Sequence, residues 1–230
     1  MRDVPRSVML YAAGFGTRMG SLTAQRPKPL IEVAGKPLID HALDQVEEFE
    51  AKTTVINLHY KPQMLQAHLA GRDVAFSIEQ PEILETGGGL RAALPLLGDG
   101  PHFTMNTDAV WRGPNPLMQL AKVWDADVMD ALLLCIPLEN AVGHTGSGDF
   151  ILSETGQITR GPGLVYSGVQ IIKTSMLHDI QDHSFSLNVL WDMMLQNSRL
   201  YGISYPGRWC DVGHPKGIVL AEAMLKDVDV

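Results

Sequence analysis

The sequence holds few of the residues that stabilise small secreted proteins or span membranes. Only two of its 230 residues are cysteine, Cys135 and Cys210, and they lie far apart without CxxC spacing. A disulfide framework or a zinc site is therefore not expected, and two free thiols in a reducing compartment are. No run approaches the ~18 apolar residues of a membrane-spanning helix. The first ten residues, MRDVPRSVML, do not form a signal peptide, so we expect a cytoplasmic protein with no membrane partner.

Basic residues are also scarce. The chain has 18 Lys and Arg against 26 Asp and Glu, which gives a formal net charge of -8. A nucleic-acid partner is not expected, because binding one requires a basic face. One local cluster departs from this balance and could hold a small anion. It contains Arg18, Arg26, Lys28 and Lys36, with only Glu32 against them.

The common phosphate-binding motifs are incomplete in the loop that follows the first apolar run. A Walker A motif would need Lys after Gly20, and a dinucleotide fingerprint would need glycine where Met19 stands. The physics of those motifs still applies, since glycines after a strand let backbone N–H groups converge on an anion. Arg18 and Lys28 add positive charge, and prolines on both sides of Lys28 stiffen its backbone. The loop therefore predicts a phosphate site.

Strand-length apolar runs alternate with helical patterns along the first 140 residues, as in SVMLYA followed by PLIDHALDQVEEF. This alternation predicts an α/β protein with a mainly parallel sheet, helices on both faces and ligands at the carboxyl ends of the strands. The later part is looser, and GDFILSETGQITR predicts a hairpin that turns at Glu154, Thr155 and Gly156. No linker or repeat interrupts the chain, so a single domain over residues 1–230 is expected.

The segment AAGFGTRMGSLTAQRPKPL resembles the signature of sugar-1-phosphate nucleotidyltransferases, G-x-G-T-R-[ML]-x-x-L-T-x-x-x-P-K. Ser21 departs from it, because many members have proline there. The resemblance continues through VAGKPLIDHAL, ETGGGLRAALPLL, NTD, YSGV and WCDVGHP and so covers nearly the whole chain. It implies a Rossmann-like three-layer α/β/α fold with a mostly parallel mixed sheet. It also implies a nucleotide-binding part over about 1–110 and a sugar-binding part over about 111–230.

The implied reaction joins a nucleoside triphosphate to a sugar 1-phosphate and releases pyrophosphate. The short bacterial members that this chain resembles suggest UTP and an amino sugar such as N-acetylmuramate 1-phosphate. Such a reaction needs alignment and charge neutralisation rather than a protein nucleophile. The resemblance assigns the catalytic cations to Arg18 and Lys28, and a Mg²⁺ ion to Asp108 and Asp211.

The resemblance also implies residues for the two substrates. The nucleotide-binding set is Ala12, Ala13, Gly14, Gly16, Thr17, Arg18, Gln80 (or the nearby Glu82), Thr86, Gly87 and Gly88. The sugar-binding set is Asn57, Asn106, Glu154, Ser167 and Gly168, and Tyr166 of the same YSG segment is a looser match to a sugar-contacting position. Two of these regions have a second interpretation: Thr86 could cap a helix, and Trp209 could either stack on a sugar or pack in the core.

Several alternatives remain open at this point. Within the same fold, GTP with mannose or heptose 1-phosphate, dTTP or UTP with glucose 1-phosphate, and CTP with phosphocholine are all possible. A glycosyltransferase is disfavoured, because NTD lacks the first carboxylate of a D-x-D motif. An inactive nucleotide-sugar sensor is disfavoured by the presence of all four charged residues assigned above. A monomer or a small homo-oligomer is expected.

Overall fold

Strands and helices alternate along the chain in the computed structural model, which describes residues 4–227. The three residues at each end of the expected domain lie outside the described residues. The strands are β1 (Ser7–Tyr11), β2 (Glu32–Val33), β3 (Lys36–Pro37), β4 (Thr53–Leu58), β5 (Ala75–Ile78), β6 (Pro101–Asn106), β7 (Ala109–Arg112), β8 (Ala131–Ile136), β9 (Ala141–Val142), β10 (Phe150–Leu152), β11 (Ile158–Arg160), β12 (Val165–Lys173), β13 (Leu200–Ser204) and β14 (Arg208–Asp211). The α-helices are α1 (Leu38–Glu48), α2 (Pro62–His68), α3 (Glu85–Leu97), α4 (Pro116–Val123), α5 (Leu187–Gln196) and α6 (Pro215–Lys226).

Seven strands form the central sheet, in the order β13-β8-β12-β6-β1-β4-β5. β12 runs antiparallel to both of its neighbours, and the other neighbouring pairs are parallel. The sheet is thus mostly parallel and mixed, which confirms the expected fold class. β1 lies between β4 and β6, so the loop after β1 leaves the sheet near its middle.

Helices cover both faces of this sheet. Val8 and Leu10 of β1 belong to one apolar cluster, which also contains residues of α1, α2 and α4. Met9, between them in the sequence, belongs to a second cluster with residues of α3 and α5. Successive strand side chains point to opposite faces, so a strand buried on both sides reads as a continuous apolar run. The three-layer arrangement is therefore confirmed.

A smaller sheet of three short strands, in the order β7-β14-β9, packs under α6. β7 and β14 are antiparallel, with Ala109 opposite Asp211. β7 and β9 were not predicted from the sequence, because they have only four and two residues and too little pattern to stand out. The hairpin of β10 and β11 is confirmed, with its turn between Leu152 and Ile158.

Both cysteines are buried free thiols, as expected. Burial raises the pKa of Cys135 to about 12 and that of Cys210 to about 11, which keeps both thiols protonated at neutral pH. Within residues 4–227, every helix is too short or too polar to cross a bilayer.

Candidate active site

A cleft opens where β1, β4 and β6 end, at the carboxyl edge of the sheet. Its volume is about 290 Å³, and we call it the first cavity. It is lined by Tyr11, Ala12, Ala13, Gly14, Gly16, Thr17, Arg18, Lys28, Pro29, Asn57, Glu79, Ile83, Glu85, Thr86, Asn106, Thr107, Asp108 and Gly213. Most of the site residues predicted in the loop after β1 therefore lie at one cleft.

The loop after β1 is folded around Lys28. It forms two short 3-10 helices, Thr17–Thr23 and Lys28–Leu30. Gly16 precedes the first with φ +64°, and an added Cβ there would lie 2.8 Å from the Cβ of Lys28. Glycine is needed at this position both for the positive φ and for the close approach. Met19, which breaks the dinucleotide motif, is buried in the apolar cluster under α6.

Lys28 forms an ion pair across the cleft with Asp108. Its Nζ lies 2.7 Å from Asp108 Oδ2, and the lysine side chain is only 10% exposed. A nearly buried ammonium is costly unless it is paired, so this contact fixes the charge in place. Lys28 thus presents an ion-paired ammonium group to the first cavity.

Asp211 reaches the same place through the smaller sheet. The pairing of β7 with β14 sets Asp211 beside Ala109, and Val212 N donates to Asp108 O at 2.8 Å. Among the described residues, Asp211 Oδ1 is buried without a hydrogen-bond partner. Burial, with the Asp108 charge adding to it, raises the pKa of Asp211, while Lys28 and other nearby cations oppose the rise.

Arg18 completes the charged group. Its side chain lies over Gly213: an added Cβ there would be 3.3 Å from Arg18 Nη1 and 2.9 Å from Asp211 Oδ2. Gly213 therefore leaves room for the guanidinium beside the buried carboxylate. Arg18, Lys28 and Asp108 thus line the first cavity, and Asp211 lies beside them next to Gly213, although the sequence separates these residues widely.

The two carboxylates fit a hard divalent cation. Mg²⁺ in proteins is commonly held by one or two carboxylates together with substrate phosphates and water. Asp211 presents a buried oxygen that has no partner among the described residues, and a cation would satisfy it. Asp108 is 29% exposed and lines the cavity, so its second oxygen can face a ligand.

A buried acid that was not predicted from the sequence, Glu79, supports the other side of the cleft. Asn57 Nδ2 donates to Glu79 Oε1 at 2.7 Å, and Asn57 Oδ1 accepts from Ala12 N at 2.8 Å. Glu79 Oε2 accepts from Leu84 N at 2.8 Å. This network fixes the turn after β1, and it places Asn57 beside the loop residues rather than at a separate sugar pocket. A lone Glu at a strand end carries no signal of this role in the sequence.

The alternative interpretation of the ETGGG segment, a helix capped by Thr86, is wrong. α3 begins at Glu85, so Thr86 lies inside the helix and does not cap it. Thr86 Oγ1 accepts instead from Leu187 N at 3.0 Å, and the residue lines the first cavity. Gly87 and Gly88 face away from the cavity, because a Cβ would meet Phe185 at 2.3 Å or His183 O at 2.6 Å. Their role is close packing of α3 on the 183–185 segment.

Gln80 also lies away from the first cavity. It borders a separate surface hollow with His59, Pro62 and Gln63. Glu79, its neighbour, is turned inward by the network just described, and adjacent side chains of an extended chain point to opposite sides. Gln80 precedes a proline, which also favours an extended backbone. Glu82 is exposed and does not line the first cavity.

A second cavity of about 300 Å³ adjoins the first. The two share the lining residues Tyr11, Thr86 and Asn106. The second cavity is further lined by Asp149, Phe150, Arg160, Tyr166, Ser186, Leu187, Asn188 and Trp191. Its walls therefore come from the β10–β11 hairpin and the start of α5, in the part of the chain that was expected to bind a sugar.

Of the predicted sugar-binding residues, Asn106 and Tyr166 line the second cavity. Gly168 packs against Asn106, whose side chain would lie 2.7 Å from an added Cβ. Ser167 is buried, and its Oγ accepts from Val169 N within the strand. Glu154 lies in the exposed turn of the hairpin and lines neither cavity. Asp149 and Arg160 were not predicted, because nothing in the sequence shows which hairpin residues face inward.

Trp209 packs in the core rather than on a ligand. It is 6% exposed, and its ring centroid lies 6.5 Å from that of Trp111. β7 and β14 place these two residues opposite each other. The packing interpretation is therefore confirmed, and the pairing explains it.

Two curated relatives are similar over most of this chain. The chain is 39% identical to N-acetylmuramate alpha-1-phosphate uridylyltransferase from Caulobacter vibrioides, over 99% of this chain and 100% of the relative. It is 36% identical to the protein of the same name from Neisseria meningitidis serogroup B, over 89% of this chain and 92% of the relative.

Solved structures share the fold. HddC from Yersinia pseudotuberculosis, determined in complex with GMP-PN, superposes with a TM-score of 0.78 at 20% identity, covering 96% of this chain and 100% of that chain. At that identity the likeness concerns the fold alone. The MobA-like NTP transferase domain model matches residues 8–144, which is more than half of the sequence. The chain therefore belongs to the MobA-like NTP transferase family, whose members are nucleotidyltransferases.

Proposed function

We propose that this protein transfers a uridylyl group from UTP to N-acetylmuramate α-1-phosphate and releases pyrophosphate. The observation that carries the proposal is the convergence of Arg18, Lys28 and Asp108 at the first cavity, with Asp211 beside them. Such a set suits polyphosphate chemistry, in which charge must be neutralised. Similarity to two uridylyltransferases along most of the chain supports the choice of nucleotide and sugar. We further propose a cytoplasmic enzyme that acts as a monomer or small homo-oligomer.

The proposed reaction is a direct displacement at phosphorus. A phosphate oxygen of the sugar attacks the α-phosphorus of UTP, the α–β bridging bond breaks, and pyrophosphate leaves with the bonding electrons. The attacking phosphate is already ionised near pH 7, so no residue has to remove its proton. Lys28, fixed against Gly16, and Arg18, at the mouth of the cavity, neutralise the charge that develops on the phosphates.

Asp108 and Asp211 would hold a Mg²⁺ ion, which supplies charge neutralisation and orientation of the phosphates when bound. Asp108 directly precedes β7 and Asp211 ends β14, at the same end of the β7–β14 pairing, so the backbone of the smaller sheet sets the separation of the two carboxylates. The backbone of residues 12–17 and the start of α3 bound the space left for the nucleoside. The second cavity, beyond Asn106, is left for the sugar.

A panel assay tests the proposal. Pyrophosphate release would be measured with UTP, GTP, CTP and dTTP, each against N-acetylmuramate 1-phosphate, N-acetylglucosamine 1-phosphate, mannose 1-phosphate, glucose 1-phosphate and phosphocholine. We expect the highest kcat/KM for UTP with N-acetylmuramate 1-phosphate. Chelation with EDTA should abolish turnover, and added Mg²⁺ should restore it. A higher kcat/KM for GTP with mannose 1-phosphate would contradict the proposal, and binding without turnover would favour a sensor.

A further inference from the structure

The second cavity contains an arginine that phosphate chemistry does not require. Among the described residues that line this cavity, Arg160 is the one with a permanent positive charge. Arg18 and Lys28 line only the first cavity, and Arg160 lines only the second. A cation at this position can act on a group of the sugar rather than on the triphosphate.

Arg160 is held in a defined orientation. It ends β11, directly opposite Phe150 of β10. Its guanidinium carbon lies 5.1 Å from the ring centroid of Phe150 and 5.6 Å from that of Trp191. Nη2 donates to Asp192 Oδ1 at 2.9 Å. Contact with two aromatic rings fixes the guanidinium plane, and one bond to Asp192 uses one of its five N–H donors.

The remaining polar groups of the cavity suit sugar hydroxyls rather than a second anion. Asp149 Oδ2 accepts from Tyr166 N at 2.8 Å, and Asn188 Nδ2 donates to Ser186 Oγ at 2.9 Å. Carboxylate and amide groups anchored in this way present their remaining atoms as hydrogen-bond partners. Arg160 is thus the group in the cavity suited to a negative charge on the substrate.

We propose that Arg160 binds the lactyl carboxylate of N-acetylmuramate 1-phosphate and thereby makes the enzyme prefer that sugar over N-acetylglucosamine 1-phosphate. This inference rests on the proposed function. The two sugars differ only in the lactyl ether at O3, which carries the carboxylate. A guanidinium matches a carboxylate with two parallel N–H···O bonds, which a lysine ammonium does not reproduce.

The test compares kcat and KM for both sugar phosphates, with UTP, in the full-length enzyme and in R160Q and R160K. For R160Q we expect kcat/KM with N-acetylmuramate 1-phosphate to fall roughly 10- to 100-fold, the usual effect of losing a charged hydrogen bond. The loss should lie in KM, because the carboxylate takes no part in the chemistry and is bound equally in the ground and transition states. With N-acetylglucosamine 1-phosphate, kcat/KM of R160Q should stay within about threefold of the parent value. For R160K, kcat/KM with N-acetylmuramate 1-phosphate should lie between the values of the parent enzyme and R160Q.

The matched control is R208Q. Arg208 is 40% exposed, like Arg160, and pairs with one exposed carboxylate, Asp227, but it lines neither cavity. Its variant should keep the sugar preference of the parent enzyme. If R160Q keeps the parental preference as well, or loses activity equally on both sugars, the inference is overturned while the proposed function stands. If the parent enzyme does not use N-acetylmuramate 1-phosphate, the proposed function fails and the inference fails with it.

Discussion

Individual charges at the first cavity are placed for function at some cost to the fold. Lys28 keeps its ammonium nearly buried against Asp108, and Asp211 keeps a buried oxygen that has no partner among the described residues. Burying a charge without full pairing is unfavourable, and such groups persist where binding or catalysis needs them. Substitutions of single residues at this site can therefore separate catalytic activity from the stability of the fold.

Replacing Lys28 by Met tests the catalytic cation. Methionine retains most of the stem that packs on Gly16 and removes the charge. We expect kcat/KM for the uridylyl transfer to fall by about 10²-fold or more, the size of effect seen when a main charge-stabilising group is lost. K36M is the control, since Lys36 pairs with exposed Asp44 outside both cavities. Retained activity in K28M would show that the site is misassigned.

Replacing Asp211 by Asn separates catalytic activity from the stability of the fold. The ionised carboxylate is disfavoured by burial and by Asp108, so a neutral amide of the same shape should raise the melting temperature by roughly 1 to 4 °C without added metal. Turnover should fall by about 10²-fold in the same variant. Differential scanning calorimetry and the pyrophosphate assay measure the two effects. A fall in both would mean that Asp211 mainly supports the fold.

Among the helices, α3 is positioned by close packing at Gly87 rather than by a side-chain cap at its first turn. Gly87 N donates to Phe185 O at 2.8 Å, and Gly87 leaves no space for a side chain on that side. The same segment continues to Leu187, which binds Thr86 and lines the second cavity. The spacing of α3 and α5 therefore sets the width of the second cavity.

Replacing Gly87 by Ala should widen that spacing. We expect a loss of about 1 to 3 kcal/mol in the free energy of unfolding from the overpacking, and a raised KM for the sugar phosphate. Adding F185L should recover part of both effects, because it removes the ring atom Cε2 that the new methyl group meets at 2.3 Å, while the Phe185 carbonyl oxygen at 2.9 Å remains. Denaturant titration and steady-state kinetics provide the readouts. If the effects of G87A and F185L on the free energy of unfolding simply add in the double variant, this explanation is contradicted.

For the molecule as a whole, the edge of the central sheet opposite the first cavity is stabilised by ion pairs. Asp130 Oδ1 lies 3.0 Å from Lys173 Nζ and 2.9 Å from Arg199 Nε. These residues stand at the start of β8, the end of β12 and the start of β13. Burial would raise the pKa of Asp130, but its bonds and charge interactions with Arg199 and Lys173 outweigh it and lower that pKa.

Replacing Asp130 by Asn should therefore destabilise the protein in a pH-dependent way. A lowered folded-state pKa gives stability that is complete above the unfolded-state pKa and is lost as pH falls through the folded value. At pH 7 we expect D130N to lose about 1 to 2 kcal/mol of unfolding free energy. The difference from the parent should shrink below about pH 4. D179N, at an exposed aspartate without an ion pair among the described residues, should show no such trend. A difference that stays constant with pH would contradict this explanation.

The amino-acid sequence alone predicts the alternation of strands and helices, the buried strands and the loop that carries Arg18 and Lys28. These features depend on local periodicity and on glycine and proline positions, which a short window contains. Long-range packing places Asp211 beside Asp108, turns Glu79 rather than Gln80 toward the first cavity, and brings Arg160 rather than Glu154 to the second cavity. Those outcomes depend on strand pairing between distant segments and on which side of an irregular segment faces inward, and neither leaves a periodic signal in the chain.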